Sequence, residues 1–304
     1  MNRIGSTRNT ERDRLTGLKT LIQSTLFVLL GLFLVTASAS AAPFVYVVTV
    51  NQQFGTVDLA TGSFHPIGSA APEPMSNLVW GADGSLFTLF TLSGSLVKIN
   101  PLTGDTRVIG PTGLGFNAFD LAGVGGKLYL TDFSNNIYSV NPHTGAATFM
   151  RATGMPPDPT VPFTLNDDGT FNLCDETLYG VNGQLYATFD SYDFNPNPSP
   201  GFMVVKTKVN PKLYRIDPST SLATPVGHTD VQLAASVAVD GKFYGFRAVL
   251  TGFVGGFPQG YSELVTIDLK SGKVSYVTTI DPATGPIFGA APVRPSEDSF
   301  RLDQ

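Results

Sequence analysis

Cysteine and charge are the scarcest features of this 304-residue chain, and each scarcity excludes a class of protein. Cys174 is the single cysteine, so no disulfide can form within the chain, and stability must come from packing and strand pairing. Charged residues make up 14% of the sequence, which is too few for a disordered tail or a coiled coil. The sequence also lacks the G-x-S-x-G, H-E-x-x-H and phosphate-loop motifs of common hydrolases and nucleotide-binding proteins.

The first 39 residues have the composition of an export signal. Basic residues precede a short apolar run at 26–35, and the small residues of "TASASAAP" follow it. This order is typical of a secretory signal peptide, and we expect cleavage after Ala39 or Ala41. The apolar run is short for a membrane span, although an uncleaved anchor is the alternative. The sequence therefore predicts a secreted or periplasmic protein with no membrane span after signal cleavage.

The exported chain is expected to be acidic. Removal of residues 1–39 takes away five basic and two acidic residues and leaves a formal net charge of −8. Because an acidic surface repels phosphate groups, neither nucleic acid nor an anionic membrane is expected as a partner.

One short phrase recurs along the chain. The end of an apolar strand is followed by Asp or Asn, often Pro, then Thr or Ser, and usually Gly. These residue types favour a tight turn, and the residues after the turn alternate in polarity, so each phrase predicts a β-hairpin. The five phrases begin at Asp58, Asn100, Asn141, Asp217 and Asp268.

A second kind of hairpin precedes most of these phrases. Stretches such as "LAGVGGKLYLTDF" place an apolar strand, a glycine-containing turn and an aromatic strand in order. Two hairpins in each period of about 40–50 residues predict a repeated four-stranded meander, and hence an all-β fold, a single β-propeller. The strands of the second unit, named a to d from the channel outward, are expected at 77–82, 85–91, 94–100 and 105–110.

The ring is expected to close through the C-terminal strand. The N-terminal unit supplies strands b, c and d, and "GPIFGAAPVR" at 285–294 supplies the missing strand a. This arrangement predicts five blades in a domain spanning 43–295, followed by a short tail at 296–304. A sixth, degenerate blade near 150–172 is the alternative.

A family resemblance adds to this prediction. The stretch "VYVVTVNQQFGTVDLATG" resembles the YVTN-type repeat of secreted bacterial propellers. More loosely, the chain is similar to the lactonase-like and SMP-30-like propellers. The resemblance implies the propeller fold over nearly all of the mature chain. Propellers serve as hydrolases, lactonases, dehydrogenases and binding scaffolds, so the fold alone does not choose a function.

Three insertions are expected on one face of the ring, as a d–a loop at 151–172 and b–c loops at 190–211 and 248–263. Long loops in compact domains are usually functional, and insertions on one side of a repeat array mark its binding face; harmless surface decoration is the alternative. Acidic groups among aromatic rings suit a cation, a sugar or a peptide, so we expect an extracytoplasmic protein or glycan as partner. The candidate binding residues are Asp190, Tyr192, Asp193, Phe194, Phe253, Phe257 and Tyr261.

The alternative function is a metal-dependent hydrolase or lactonase. Similarity to the SMP-30-like propellers implies a divalent metal, such as calcium, held by Glu, Asn and Asp at the inner strands. The residues that match this set are Asn77, Asp120, Asp175 and Glu176. Asp193 also begins an alternating run of oxygen ligands, but the run lacks the Gly and Glu of an EF-hand. No catalytic residue follows from the sequence, and the incomplete ligand set favours the binding module.

Overall fold

A computed structural model describes eight stretches of the chain, and they contain 21 strands and two 3-10 helices. These stretches are residues 43–132, 134–155, 171–181, 183–194, 206–207, 212–229, 233–254 and 257–294. The predicted signal peptide and the C-terminal tail lie outside them. A search of these stretches for an apolar helix of membrane-spanning length finds none.

The strands follow one another with short connections. In chain order they are β1 (Phe44–Thr49), β2 (Phe54–Asp58), β3 (Phe64–Pro66), β4 (Met75–Trp80), β5 (Leu86–Phe90), β6 (Ser95–Ile99), β7 (Thr106–Pro111), β8 (Ala118–Val124), β9 (Lys127–Asp132), β10 (Asn136–Val140), β11 (Ala147–Ala152), β12 (Phe171–Val181), β13 (Gln184–Phe194), β14 (Lys206–Thr207), β15 (Lys212–Ile216), β16 (Ala223–His228), β17 (Ala235–Val239), β18 (Lys242–Val254), β19 (Phe257–Ile267), β20 (Val274–Thr279) and β21 (Ile287–Pro292). The 3-10 helices are Gly115–Asn117 and Pro282–Thr284.

Five antiparallel sheets account for all of these strands. From the channel outward, the blades are β21-β1-β2-β3, β4-β5-β6-β7, β8-β9-β10-β11, β12-β13-β15-β16 and β17-β18-β19-β20, and the short β14 adds to β13 in the fourth. We number them blades 1 to 5 in that order. The strands predicted for blade 2 are all present, within two residues of their expected bounds.

The C-terminal strand closes the ring, as predicted. β21 pairs with β1 from Val45–Pro292 to Thr49–Ile287 and so provides the innermost strand of blade 1. The turn before it is the helix Pro282–Thr284, which Asp281 caps by accepting a hydrogen bond from the Ala283 N–H at 3.0 Å. Five blades are confirmed, and the alternative sixth blade is wrong, because the described strands form five sheets.

The core consists of five apolar clusters, one between each pair of neighbouring blades. A strand such as β5 is buried at all five positions, because both of its faces pack against other blades. This explains the continuous apolar runs of the second strands, which differ from the alternation of a sheet with one face in water.

The outermost strands are exposed and carry a register shift. In blades 2 to 5 the pairing between the third and fourth strands is interrupted once, for example between Leu96 and Val97. A β-bulge twists the strand and makes its free edge a poor template for another chain. The rim of the ring is therefore protected against edge-to-edge association in four of its five blades.

The recurring phrase forms the turn between the third and fourth strands. In blade 2, Asn100 Oδ1 accepts a hydrogen bond from Leu102 N at 3.0 Å, and Gly104 N donates to Asn100 O at 2.8 Å. The same pair of bonds starts from Asp58, Asn141, Asp217 and Asp268. Ser221 stands in the glycine position of blade 4 and adopts a φ of 59°.

Candidate functional site

The inner strands bring two of the predicted metal ligands together. Asn77 on β4 donates from its side-chain nitrogen to Asp120 Oδ1 on β8 at 2.5 Å, and both residues are buried. Asn77 lies within an interruption of strand pairing, between Ser76 and Val79 in β4, and Asp120 is the first paired residue after another, between Ala118 and Asp120 in β8. These bulges re-aim the two side chains toward one another across neighbouring blades.

Asp120 is held by three blades at once. Its second carboxylate oxygen accepts a hydrogen bond from the Leu178 backbone N–H of blade 4 at 2.7 Å, while the first accepts from Asn77 of blade 2. A buried carboxylate requires such partners, because burial removes its hydration. The observed role of Asp120 is therefore to tie blades 2, 3 and 4 together at the channel.

Similar ties occur at every junction of the ring. They are Trp80 Nε1 to Pro292 O at 2.8 Å, Ser76 Oγ to Phe119 O at 3.2 Å, Thr177 Oγ1 to Leu233 O at 2.5 Å and Ile287 N to Ser262 Oγ at 2.9 Å, together with the two bonds to Asp120. Side chains thus link neighbouring blades, and each of these ties has at least one end on an inner strand.

This geometry concerns two of the four predicted metal ligands, Asn77 and Asp120. Within the described stretches, no group of three or more His, Cys, Asp or Glu side chains lies close enough to hold a metal ion. The backbones of Asp175 and Glu176 lie in β12, opposite Asp190 and Phe189 of β13, but their side chains fall outside the described part of the structure. A calcium site that includes them stays a prediction.

The predicted b–c loops are largely strands. Asp190, Tyr192, Asp193 and Phe194 continue β13 and pair with β12 up to Phe171. Asp193 also faces Lys206 of β14, so it lies in a strand between two others rather than in a calcium-binding turn. The described parts of 190–211 and 248–263 lie on the predicted side of the ring but form strands rather than loops. Most of the predicted loop at 151–172 lies outside the described residues.

The longest extension belongs to blade 5. β18 and β19 pair beyond the blade from Ala248–Ser262 to Val254–Phe257, whereas β17 pairs no farther than Phe246 and β20 no farther than Glu263. Phe253, Phe257 and Tyr261 all lie in this two-stranded segment, residues 248–254 and 257–262, which we call the ribbon. Its base carries an ion pair between Arg247 and Glu263 at 3.0 Å.

A buried carboxylate, Asp132, accepts several hydrogen bonds in the turn between β9 and β10 of blade 3. Asp132 accepts hydrogen bonds from the Ser134 and Asn136 backbone N–H groups at 2.9 Å and from Tyr138 Oη at 2.8 Å. Burial, and then the hydrogen bond and charge of Asp132, raise the pKa of Tyr138 to about 12. The deprotonated phenolate is disfavoured both by the loss of water and by the neighbouring carboxylate.

We expect stability to fall at alkaline pH, and Tyr138 to contribute to the fall. Its folded pKa lies above the unfolded value of about 10, so its contribution is complete below pH 10 and declines as the pH rises through about 12. At pH 8, Tyr138→Phe should lose about 1.5–3 kcal/mol with the hydrogen bond to Asp132. Urea unfolding from pH 8 to 12 should show this deficit shrinking.

The matched control for that series is Tyr276→Phe. Tyr276 is 60% exposed on an outer strand, so removing its hydroxyl should leave the pH dependence of the wild-type protein unchanged. A Tyr138→Phe deficit that stays constant from pH 8 to 12 would contradict the assignment.

Sequence reasoning missed a cavity in the channel. It has a volume of about 250 Å3 and is lined by the second halves of the inner strands, with Trp80 and Arg294 among its lining residues. The Arg294 guanidinium carbon lies 4.7 Å from the centroid of the Trp80 ring, a cation–π contact. The sequence carries no single motif for it, because its lining is assembled from short segments of all five blades.

Comparisons with known proteins add little to this description. No family model matches the chain, and no curated protein matches it. Among solved structures, the crystal structure of the nidogen/laminin complex contains a similar chain, with a TM-score of 0.47 and 12% identity over 82% of this chain and 97% of that one. The assignment to the class of five-bladed β-propellers rests on the five sheets themselves, and the YVTN-type resemblance stays a resemblance of pattern.

Proposed function

We propose that this propeller is an exported binding module, and that the ribbon of blade 5 is the centre of its recognition surface. The observation that supports the proposal is the continued pairing of β18 and β19 past both neighbouring strands of their blade. Export is part of the proposal because residues 1–39 have the order of a secretory signal.

The ribbon has the length and composition of a contact element. Seven residues from Ala248 to Val254 extend roughly 20 Å at the usual rise of a strand. The fifteen residues from Ala248 to Ser262 include no charged side chain, in a protein that is acidic overall. Charge on an edge strand is a common protection against pairing with other chains, and here that protection is missing.

A two-stranded ribbon that continues past its neighbouring strands is only marginally stable in water by itself. A protein partner that adds an extended segment along a sheet edge gains main-chain hydrogen bonds, and the side chains of the edge supply specificity. This chemistry favours an extended peptide segment of a protein over a glycan as the partner. The extension of β12 and β13 in neighbouring blade 4 provides a second paired surface on the same side.

The alternative function, a metal-dependent hydrolase or lactonase, receives less support. One of its four proposed ligands, Asp120, accepts a hydrogen bond at each carboxylate oxygen, from the Asn77 side chain and from the Leu178 N–H. These two bonds give the buried carboxylate a structural role that requires no cation.

The proposal predicts that shortening the ribbon removes binding and leaves the fold intact. Replacing residues 250–260 by Asn-Gly would join Val249 and Tyr261, which already face each other, through a two-residue hairpin turn. Random twelve-residue peptides displayed on phage and selected on the wild-type protein should bind this variant at least tenfold more weakly. Thermal unfolding should report a midpoint close to that of the wild type.

The control is an exposed apolar residue on the other side of the ring. Leu102 is 84% exposed in the turn between β6 and β7, and Leu102→Asn should leave peptide binding unchanged. Peptides that bind the shortened variant as tightly as the wild type would remove the ribbon from the recognition surface. Ribbon-dependent binding of a glycan without any selected peptide would change the partner class.

A further inference from the structure

The ribbon and the closing strand of the ring meet at one residue. Ser262 lies at the base of the ribbon, one position beyond Glu263, where the pairing of β19 with β20 begins. Its backbone oxygen accepts a hydrogen bond from Ile280 N, and its hydroxyl oxygen accepts one from Ile287 N, both at 2.9 Å. Ser262 therefore holds both ends of the connection that leads from β20 to β21.

We propose that these two bonds couple the ribbon to ring closure, so that the ribbon is stable only while the closing segment, residues 280–294, is bound to the ring. Because it concerns the ribbon as a recognition surface, this inference rests on the proposed function. The coupling itself belongs to the fold, and it is measured without any partner.

The closing segment makes contacts in three blades. In blade 5 it donates the two hydrogen bonds to Ser262. In blade 1, β21 pairs with β1 along its length, and Val50 N donates to Pro286 O at 2.9 Å. In blade 2, Trp80 Nε1 donates to Pro292 O at 2.8 Å. A change at the blade 2 end of the segment can therefore reach the ribbon through β21 alone.

The joint at the base of the ribbon is fully buried. Ser262, Ile280 and Ile287 are each 0% exposed, so water does not replace a lost hydrogen bond there. Ile280 and Ile287 also belong to an apolar cluster with Phe246 and Leu264. These two residues face each other in the last row of blade 5 in which all four strands pair, directly next to the ribbon. Release of the closing segment would therefore open the core that supports the ribbon.

Loss of this support should unfold the ribbon together with β21. Proteins open locally in contiguous cooperative units, and a two-stranded ribbon is only marginally stable by itself. The coupling is reciprocal, so a partner that binds the folded ribbon also stabilises the closed ring. Ring closure thus determines whether the recognition surface is present.

The main test changes the far end of the closing segment. Trp80→Phe removes the hydrogen bond to Pro292 O in blade 2, whereas the ribbon belongs to blade 5. Backbone hydrogen exchange of the purified protein, followed by mass spectrometry, should become at least fivefold faster in both β21 and the ribbon. Exchange in β9 and β10 of blade 3 should stay as in the wild type.

The matched control is Ser76→Ala on the same strand as Trp80. It removes the hydrogen bond to Phe119 O between blades 2 and 3 and leaves the contacts of the closing segment in place, so both exchange rates should stay unchanged. Faster exchange in β21 with an unchanged ribbon would overturn the proposal, and so would no change in either segment. An equal acceleration in blade 3 would also overturn it, since the opening would then belong to the whole ring.

Ser262→Ala tests the joint directly. The substitution leaves the Ile287 N–H buried without its acceptor, so β21 should exchange at least tenfold faster than in the wild type. Wild-type exchange in β21 would show that the hydroxyl does not hold the closing strand, which overturns the proposal. These rates are measured without a peptide, so a failure to select binding peptides would remove the proposed function and leave the coupling standing.

Discussion

Gly104→Ala is expected to destabilise the protein by about 2–5 kcal/mol, although it adds a single methyl group at the surface turn of blade 2. Gly104 has a φ of +75°, where an alanine is strained by about 1–2 kcal/mol. Its added Cβ would also lie 2.3 Å from the carbonyl oxygen of Ile67 in blade 1, and a backbone atom cannot move away as a flexible side chain can. The clash should cost about 1–3 kcal/mol more.

Gly84 separates the two contributions. It lies in the other turn of the same blade with nearly the same φ, +74°, and an added Cβ there would meet nothing within 4 Å. Gly84→Ala should therefore show the strain alone, about 1–2 kcal/mol. Urea unfolding of the wild type and both variants measures the difference. Equal losses of unfolding free energy in Gly104→Ala and Gly84→Ala would mean that the turn at Gly104 is not in close contact with blade 1.

This comparison explains why the chain repeats its phrase. The glycine positions at Gly62, Gly145 and Gly272 also meet backbone atoms of the preceding blade, at 2.4, 2.3 and 2.6 Å from an added Cβ. Each repeated turn is therefore both a hairpin and a joint between blades. Backbone hydrogen bonds continue the joint around the rim, as from Ala147 N to Thr112 O at 3.0 Å. The sequence alone indicated the turn, because turn chemistry is local, but not the joint.

Much of the fold followed from the sequence for the same reason. The spacing of the five phrases and the missing first strand predicted five blades and closure by residues 285–294, and both are confirmed. The extended strands of blades 4 and 5 were not predicted. The stretch 248–263 is rich in glycine and contains Pro258, which are features of loops, yet the backbone pairs across it. Cross-strand pairing overrides these local preferences.

The candidate site was harder to predict than the fold. Asn77 and Asp120 were correctly expected at the inner strands, but a carboxylate there suits a metal and a hydrogen-bond network equally well. The partner that distinguishes the two is the Leu178 N–H, 58 residues from Asp120 in sequence. The channel cavity could not be predicted either, because its lining segments are brought together only when the ring closes.

Asp120→Ala should strongly destabilise the protein, with a loss of about 2–6 kcal/mol. The substitution leaves the Asn77 amide and the Leu178 N–H buried without their acceptor, and each unsatisfied donor costs about 1–3 kcal/mol. Loss of the side chain also removes the link between blades 2, 3 and 4. Asp120→Asn should lose less, because its oxygen can still accept from Leu178 N while Asn77 turns its own oxygen toward the new amide.

The control and the solution conditions separate this tie from a metal site. Asp105→Ala removes an exposed carboxylate from the repeated turn of blade 2 and should cost far less. If Asp120 only accepts hydrogen bonds, its variants lose the same unfolding free energy in EDTA and in calcium, since no cation binds the folded protein at this site. If Asp120 is a ligand, calcium at a hundred times its dissociation constant stabilises the wild type by about 2.7 kcal/mol and the variants not at all. If calcium widens the difference in unfolding free energy between the wild type and Asp120→Asn, the metal-dependent hydrolase becomes the better proposal for the function. If that difference is the same in EDTA and in calcium, Asp120 acts only as a structural hydrogen-bond acceptor of the fold.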